Sequence, residues 1–257
     1  MQFSITPSPS HEVSLSRYNP ERHQKFRPVF ERPGIGYPLY DLHIDPREAE
    51  RAIVLANRSG KPIIGLIYGW TVKGKDGHLS TVRIRSDIYS VGKQAIVEAD
   101  AQPLLTSCGI IDESMLDQVQ GKDRAVGTGG GGRSGVRDSI LDSGMELTFA
   151  IDLLVFADGE VAGPDRDNYA ADLECCNSAA QFVARQARMA ESENRDAVPV
   201  LSALAEMPAM LGTDPTAHWI KLFAQHCLGN NVSDKIVRSF ENIPALPKLY
   251  RREQQRG

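Results

Sequence analysis

The feature that most constrains this chain is a change in the spacing of its apolar residues near Gly163. Before this point, residues 145–156 place a large apolar side chain at every second position, which is typical of a β-strand with one buried face. From residue 165 onward, apolar side chains recur about every 3.6 residues, which predicts a long amphipathic helix. The apolar positions of this helix are Leu173, Cys176, Ala180, Val183, Ala187 and Ala190.

Three segments upstream of this change also have the patterns of strands. Residues 50–57 contain a short apolar run that ends in turn residues. Residues 63–72 alternate in side-chain size and place Trp70 on the face that we expect to be buried. Residues 79–87 follow an Asp-Gly turn and alternate between apolar and polar side chains, which predicts a hairpin with one solvated face.

Further helices are predicted downstream of the long amphipathic one. One covers residues 197–207 and ends before a proline. Another is expected to use Asp214 as its N-terminal cap and Pro215 as its first residue, and to stop at Gly229. A fourth, short helix is expected around Ile236, Val237 and Phe240.

Strands first and helices second predict an α+β protein rather than an alternating parallel fold. Short antiparallel strands with a tryptophan in an early strand predict an immunoglobulin-like antiparallel β-sandwich over residues 37–165, with a glycine-rich loop at 121–138. Residues 166–243 are the predicted helical C-terminal region, and residues 244–257 are a basic tail. Residues 1–36 are rich in Pro, Ser and charge without a sustained period, so we predict an extended or disordered arm.

Composition narrows the expected partners and location. A formal net charge of −4 gives no electrostatic reason for a nucleic-acid partner. No stretch approaches the roughly 20 apolar residues that cross a bilayer, so we expect no membrane span. The N-terminus lacks the pattern of a secretory signal, which predicts a cytoplasmic location. The cysteines are interpreted as reduced thiols that pack in the core: Cys108, Cys175, Cys176 and Cys227.

Three short motifs carry a functional interpretation that we consider weaker than the structural one. The run "GTGGGGRSG" at residues 127–135 lacks the Lys-Ser or Lys-Thr of a phosphate-binding P-loop, which favours a flexible loop. "SVGK" at residues 90–93 matches the S-x-x-K of serine acyl-enzymes, but its companion motifs are absent. His43 and Asp45 could place two metal ligands on one strand face, but a third ligand cannot be named.

A cluster of acids surrounds the change in spacing and has two interpretations. Carboxylates gathered in this way could hold Ca²⁺ or Mg²⁺ or act in acid and base catalysis, and Asp158, Glu160 and Asp165 are the candidate ligands. In the structural interpretation, Asp158 and Gly159 turn the strand, Gly163 and Pro164 break the extended chain, and Asp165 and Asp167 cap the helix. The structural interpretation gives each residue its own role, so we favour it. Asp172 and Glu174 complete the cluster.

The order of these features resembles a family of uncharacterised bacterial proteins. The shared features are the strand near Ile53, the turn "NRSGKPI", the strand ending in "GWTVKGKDG" and the F-A-D-G-x-x-x-G-P-D type joint "VFADGEVAGPD". The resemblance covers about Ala52 to Arg188. It implies an immunoglobulin-like β-sandwich followed by a helical tail, and it implies no activity and no catalytic residue.

The sequence therefore favours a non-enzymatic binding or protein-interaction module. No catalytic residue can be named, and we expect no cofactor and no metal. The alternatives are a metal-dependent or hydrolytic enzyme that uses the acids of residues 158–174, and a scaffold protein that self-associates through the apolar stripe of the long helix. The partner would then be another protein or a second copy of the chain.

Overall fold

A computed structural model describes residues 2–31, 46–91, 94–112, 141, 144–208, 214–229 and 246–251. The chain divides into two compact units. The first unit contains residues 1–86, 97–154 and 162–164, and the second contains residues 87–96, 155–161 and 165–257. None of the helices in the described parts of the chain is long and apolar enough to cross a membrane.

The strands are β1 (Gln2–Ile5), β2 (Val13–Arg17), β3 (Ile53–Asn57), β4 (Ile63–Lys73), β5 (Leu79–Asp87), β6 (Leu104–Thr106), β7 (Gly109–Ile111), β8 (Glu146–Phe156), β9 (Glu160–Ala162) and β10 (Tyr250–Arg251). The α-helices are α1 (Arg27–Glu31), α2 (Ile88–Val91), α3 (Tyr169–Ser192), α4 (Ala197–Ala205) and α5 (Pro215–Gly229). Short 3₁₀ helices cover Gln24–Phe26 and Pro46–Glu50.

The strands form two sheets. One has the order β10-β9-β8-β4-β5, with β1 pairing in parallel with β8 and β10 in parallel with β9. The other has the order β2-β3-β6-β7 and is antiparallel throughout. The helices lie mostly toward the C-terminus, which confirms the prediction of an α+β protein.

Trp70 of β4 lies at the centre of the first unit. Its side chain is fully buried, and its indole N–H donates a hydrogen bond to the carbonyl oxygen of Arg51 at 3.2 Å. The indole packs edge-on against the rings of Tyr68 and Phe149, with ring centroids 5.7 and 5.2 Å away. The polar atom of a large buried side chain is thus satisfied, as a stable core requires.

The hairpin of β4 and β5 confirms the alternation in β5 and corrects the environment of β4. In β5, Val82 and Ile84 are buried while Arg83 and Arg85 are exposed, as expected. In β4, every residue from Ile63 to Tyr68 is buried, so both faces of its first half are covered. Ile63, Gly65 and Ile67, which lie on the face opposite Trp70, are therefore also packed against other residues.

The N-terminal residues correct the prediction of an extended or disordered arm over residues 1–36. In the described residues 2–31, β1 pairs with β8, β2 pairs with β3, and α1 packs into a buried apolar cluster. That cluster contains Phe26, Val29 and Phe30 together with Val54 of β3. Pairing with distant strands and a few buried apolar side chains therefore hold this segment in place, despite its polar composition.

The helices of the second unit begin and end near the predicted residues. The Asp214 carboxylate accepts the Ala217 N–H at 2.9 Å and α5 starts at Pro215, which confirms that cap. The predicted helix over 197–207 is present as α4. The glycine-rich loop and the predicted helix around Ile236 lie outside the described residues.

The apolar stripe of α3 is buried within the chain. Its six residues are each at most 1% exposed: Leu173, Cys176, Ala180, Val183, Ala187 and Ala190. The stripe therefore offers no exposed apolar surface, and the alternative of self-association through it stays a prediction.

We expect the substitution Trp70→Ala to reduce the free energy of unfolding by about 3–5 kcal/mol, because it leaves a cavity and removes the donor to the Arg51 carbonyl. Denaturant unfolding measures this change. Leu79→Ala in the same hairpin is the matched control, since Leu79 is 60% exposed. A loss below about 1 kcal/mol for Trp70→Ala would contradict its central position.

Candidate functional site

The joint between β8 and β9 is a tight turn built by Asp158 and Gly159. The Gly159 N–H donates to the Phe156 carbonyl at 2.9 Å, and the Asp158 carboxylate accepts the Glu160 N–H at 3.0 Å. Gly159 has φ +91°, a conformation that side chains with a Cβ rarely adopt. The predicted role of this pair as a turn is confirmed.

Gly163 places the chain directly against β8 after β9 ends. Its φ is +112°, and a Cβ atom at this position would lie 2.3 Å from the Asp152 carbonyl oxygen. Only glycine permits such a close approach of two backbones. The predicted break in the extended chain at Gly163 is thus confirmed.

Asp165 caps the long helix from a position four residues before its first residue. Its two carboxylate oxygens accept the N–H groups of Tyr169 at 2.6 Å and Ala170 at 3.3 Å. The first N–H groups of a helix lack partners within the helix. A carboxylate there also interacts favourably with the positive end of the helix dipole. Asn168 holds the N-cap position with φ +53° and no capping bond from its side chain.

The structure does not gather the acids of the joint into a metal site. Asp158 lies in the turn, Glu160 is buried in β9, and Asp165 caps α3. Asp172 accepts the indole N–H of Trp219 at 2.7 Å. Within the described ranges, no group of three or more His, Cys, Asp or Glu side chains could hold a metal ion.

The C-terminal strand β10 lies on the same joint. Tyr250 pairs with Glu160 and Arg251 with Val161 in a parallel register. The Tyr250 N–H donates to the Gly159 carbonyl at 2.9 Å. The joint therefore binds a segment that is distant in sequence, which the pattern of apolar residues does not indicate.

The second unit contains a buried polar network that sequence reasoning missed. The Tyr169 hydroxyl donates to the Asp87 carboxylate at 2.5 Å, and the Tyr89 hydroxyl donates to the Asn177 side-chain oxygen at 2.7 Å. Burial raises the pKa of Tyr89, and nearby Cys176 and Asp87 raise it further. These phenols therefore act as hydrogen-bond donors that tie α3 to the segment at 87–89.

The first unit contains a buried ion pair that sequence reasoning also missed. An Arg51 guanidinium nitrogen lies 2.8 Å from a Glu48 carboxylate oxygen, and both side chains are at most 2% exposed. The other Glu48 carboxylate oxygen accepts the Ser107 N–H at 2.9 Å. The one signal in the sequence was the i,i+3 spacing of the two charges, which is common on solvated helices.

The other groups singled out in the sequence lie outside the described residues or have no reactive environment. His43, Asp45 and Lys93 are outside the described residues, as is the run at 127–135. The four cysteines are free thiols, and Cys176 and Cys227 are buried as expected, while Cys108 and Cys175 are only half-buried. Burial raises the pKa of the Cys227 thiol to about 11, which keeps this sulfur protonated at neutral pH.

Comparison with known proteins gives no assignment. No protein-family model matches the chain, and no curated protein or solved structure matches it. The basis for a functional assignment is therefore the geometry of the residues themselves.

We expect Asp165→Ala to lower the free energy of unfolding by about 1 kcal/mol, within a range of about 0.5–2, because two helix N–H groups lose their acceptor. Thermal or denaturant unfolding measures the effect. Glu174→Ala is the control, because this exposed acid lies on the same helix but beyond its first turn. An equal loss in both variants would show that Asp165 has no special capping role.

We expect Glu48→Ala to cost about 3–5 kcal/mol, because the Arg51 guanidinium stays buried without its carboxylate. Replacing both residues with apolar ones, as Glu48→Leu with Arg51→Met, should recover much of this loss. Equilibrium unfolding of the single and double variants separates the cost of the unpaired Arg51 charge from the cost of lost packing. If the double variant is as unstable as Glu48→Ala, packing and not the unpaired charge is the cause.

Proposed function

We propose that this protein is a non-enzymatic protein-interaction module. Two nucleophilic side chains of the second unit, Tyr89 and Cys227, have raised pKa values because they are buried. A tyrosine or cysteine that acts as a nucleophile or a base needs the opposite shift, toward the ionised form at neutral pH. At the joint, the Asp158 and Asp165 carboxylates accept turn and cap hydrogen bonds from the backbone.

The observation that carries the proposal is the exposure of α4. Seven of its nine residues are Ala, Val or Leu, yet only Leu201 is buried. Val198 is 37% exposed, and Ala203 is also exposed. A helix with this composition is normally buried more fully, so the exposed Val198 and Ala203 beside half-buried Val200 and Leu204 favour a binding surface.

The charges around α4 indicate the chemistry of the partner. Glu191 lies in the last turn of α3, Asp196 is the N-terminal cap of α4, and Glu206 follows the last residue of α4; all three are exposed. A segment with an apolar face and flanking Lys or Arg residues would match both the helix and its acidic ends. We therefore propose a basic amphipathic segment of another protein as the partner.

We also propose that the first unit is an immunoglobulin-like sandwich and that the chain belongs to the bacterial family it resembles. The antiparallel sheet β2-β3-β6-β7 and the buried Trp70 support the sandwich. The turn at Gly159 and the close approach at Gly163 give a physical reason for the glycines of the F-A-D-G-x-x-x-G-P-D joint. A cytoplasmic location stays a prediction.

A photoreactive residue at Ala203 tests this function in cells of the natural source. We expect one discrete adduct with a different protein, weakened by Val198→Glu and weakened more by Val198→Lys, because a lysine would repel the basic segment. The matched control carries the photoreactive residue at Leu79, which is exposed in the first unit.

Four outcomes would contradict the proposal. No adduct, or the same adduct from Leu79, would show that α4 is not a specific surface. An adduct of twice the mass of the chain would indicate self-association instead. Equal effects of Val198→Glu and Val198→Lys would remove the argument for a basic partner.

A further inference from the structure

The C-terminal segment 246–251, here called the tail segment, is held on the joint by backbone contacts. Its strand β10 pairs with β9 over two residues, and the Tyr250 N–H donates to the Gly159 carbonyl at 2.9 Å. The Leu246 N–H donates to the Asn177 side-chain oxygen at 3.3 Å. Addition of an extended segment to a strand edge is a common mode of peptide recognition.

Two side chains of the tail segment contact acids of the cluster at the joint. The Tyr250 hydroxyl lies 3.4 Å from the Asp158 carboxylate. The Arg251 guanidinium lies 3.5 Å from the Asp165 carboxylate, whose side chain is only 4% exposed. An aromatic residue followed by an arginine thus matches two acids at fixed places, one in the turn and one at the helix start.

The turn itself is shaped to accept the tail segment. A Cβ atom on Gly159 would lie 2.5 Å from the Lys248 carbonyl oxygen and 3.2 Å from a Pro247 ring carbon. Gly159 therefore has a second role besides its positive φ, because it leaves room for the tail backbone. We call Asp158, Gly159, β9 and Asp165 the tail site.

The two side chains of the tail segment that contact these acids are about half exposed. Tyr250 is 46% exposed, and the Arg251 side chain is 53% exposed. The Arg251 end of its ion pair with Asp165 is solvated, which weakens the pair, and a two-residue ladder adds few hydrogen bonds. Release of the tail segment therefore requires the loss of only a small set of interactions.

We propose that the tail site binds the same segment of a second copy of this chain, so that two copies exchange residues 246–251. Sixteen residues, 230–245, separate α5 from the tail segment in sequence. A connection of this length spans up to about 50 Å when extended, which is enough to reach a neighbouring molecule. Exchange of an identical element replaces every contact by its equivalent and is a low-cost route to a dimer.

Complementation between two full-length variants tests the exchange. The first variant carries Gly159→Ala, which blocks its tail site and releases its own intact tail. The second carries Tyr250→Ala with Arg251→Glu, so its tail is defective and its tail site is intact. We expect each variant alone to be a monomer and the mixture to form a heterodimer in light scattering, because only the mixture pairs an intact site with a free intact tail.

Gly77→Ala is the matched control for the strain that alanine causes at positive φ. Gly77 has φ +80°, and a Cβ atom added there would meet no other atom within 4 Å, so its variant keeps the tail site open. A mixture in which Gly77→Ala replaces Gly159→Ala should form less heterodimer, because the intact tail site of the Gly77→Ala variant competes for its own tail. Circular dichroism of each variant establishes that all three are folded.

The proposal is overturned if folded variants form no mixed complex at the highest soluble concentration. It is also overturned if Gly77→Ala supports the heterodimer as well as Gly159→Ala does. Because the exchange does not involve α4, its failure leaves the proposed protein-interaction function untouched, and failure of the crosslinking test leaves the exchange untouched.

Discussion

The structure depends on how the backbone satisfies its hydrogen bonds where the sheet ends and the long helix begins. β8 and β9 satisfy theirs through neighbouring strands, while the first turn of α3 has no such partners. The Asp165 carboxylate accepts two of those N–H groups and so starts the helix at Tyr169. The acids at the joint are therefore explained by the change from one kind of hydrogen bonding to another.

The same principle accounts for the buried polar groups elsewhere. Arg51 uses its carbonyl to accept the Trp70 indole N–H and its guanidinium to pair with Glu48. In the second unit, the Asp87 carboxylate accepts the Tyr169 hydroxyl. Buried polar groups that are engaged in this way stabilise a unique packing, and their engagement removes them from the set of reactive groups.

Sequence patterns correctly predicted a strand or a helix where one periodicity of apolar residues applied to the whole element. The alternation in β5 and β8 and the stripe of α3 were correct because burial on one face repeats every two residues in a strand and about every 3.6 in a helix. The prediction for the N-terminal segment was wrong because its order comes from pairing between residues far apart, such as Gln2 with Glu146. The Asp87 to Tyr169 hydrogen bond spans 82 residues and has no local signal either.

The sequence by itself determined the strands β3, β4, β5 and β8, the helices α3, α4 and α5, the turn at Asp158, the cap at Asp214 and the burial of Trp70. These are local properties, set by side-chain spacing, by glycine conformations and by the unpaired groups at helix ends. Only the tertiary structure decided which charges are buried as pairs, which phenols tie α3 to the segment at 87–89, and that the C-terminal strand lies on β9. Those outcomes depend on distances between residues far apart in the chain, which no local pattern encodes.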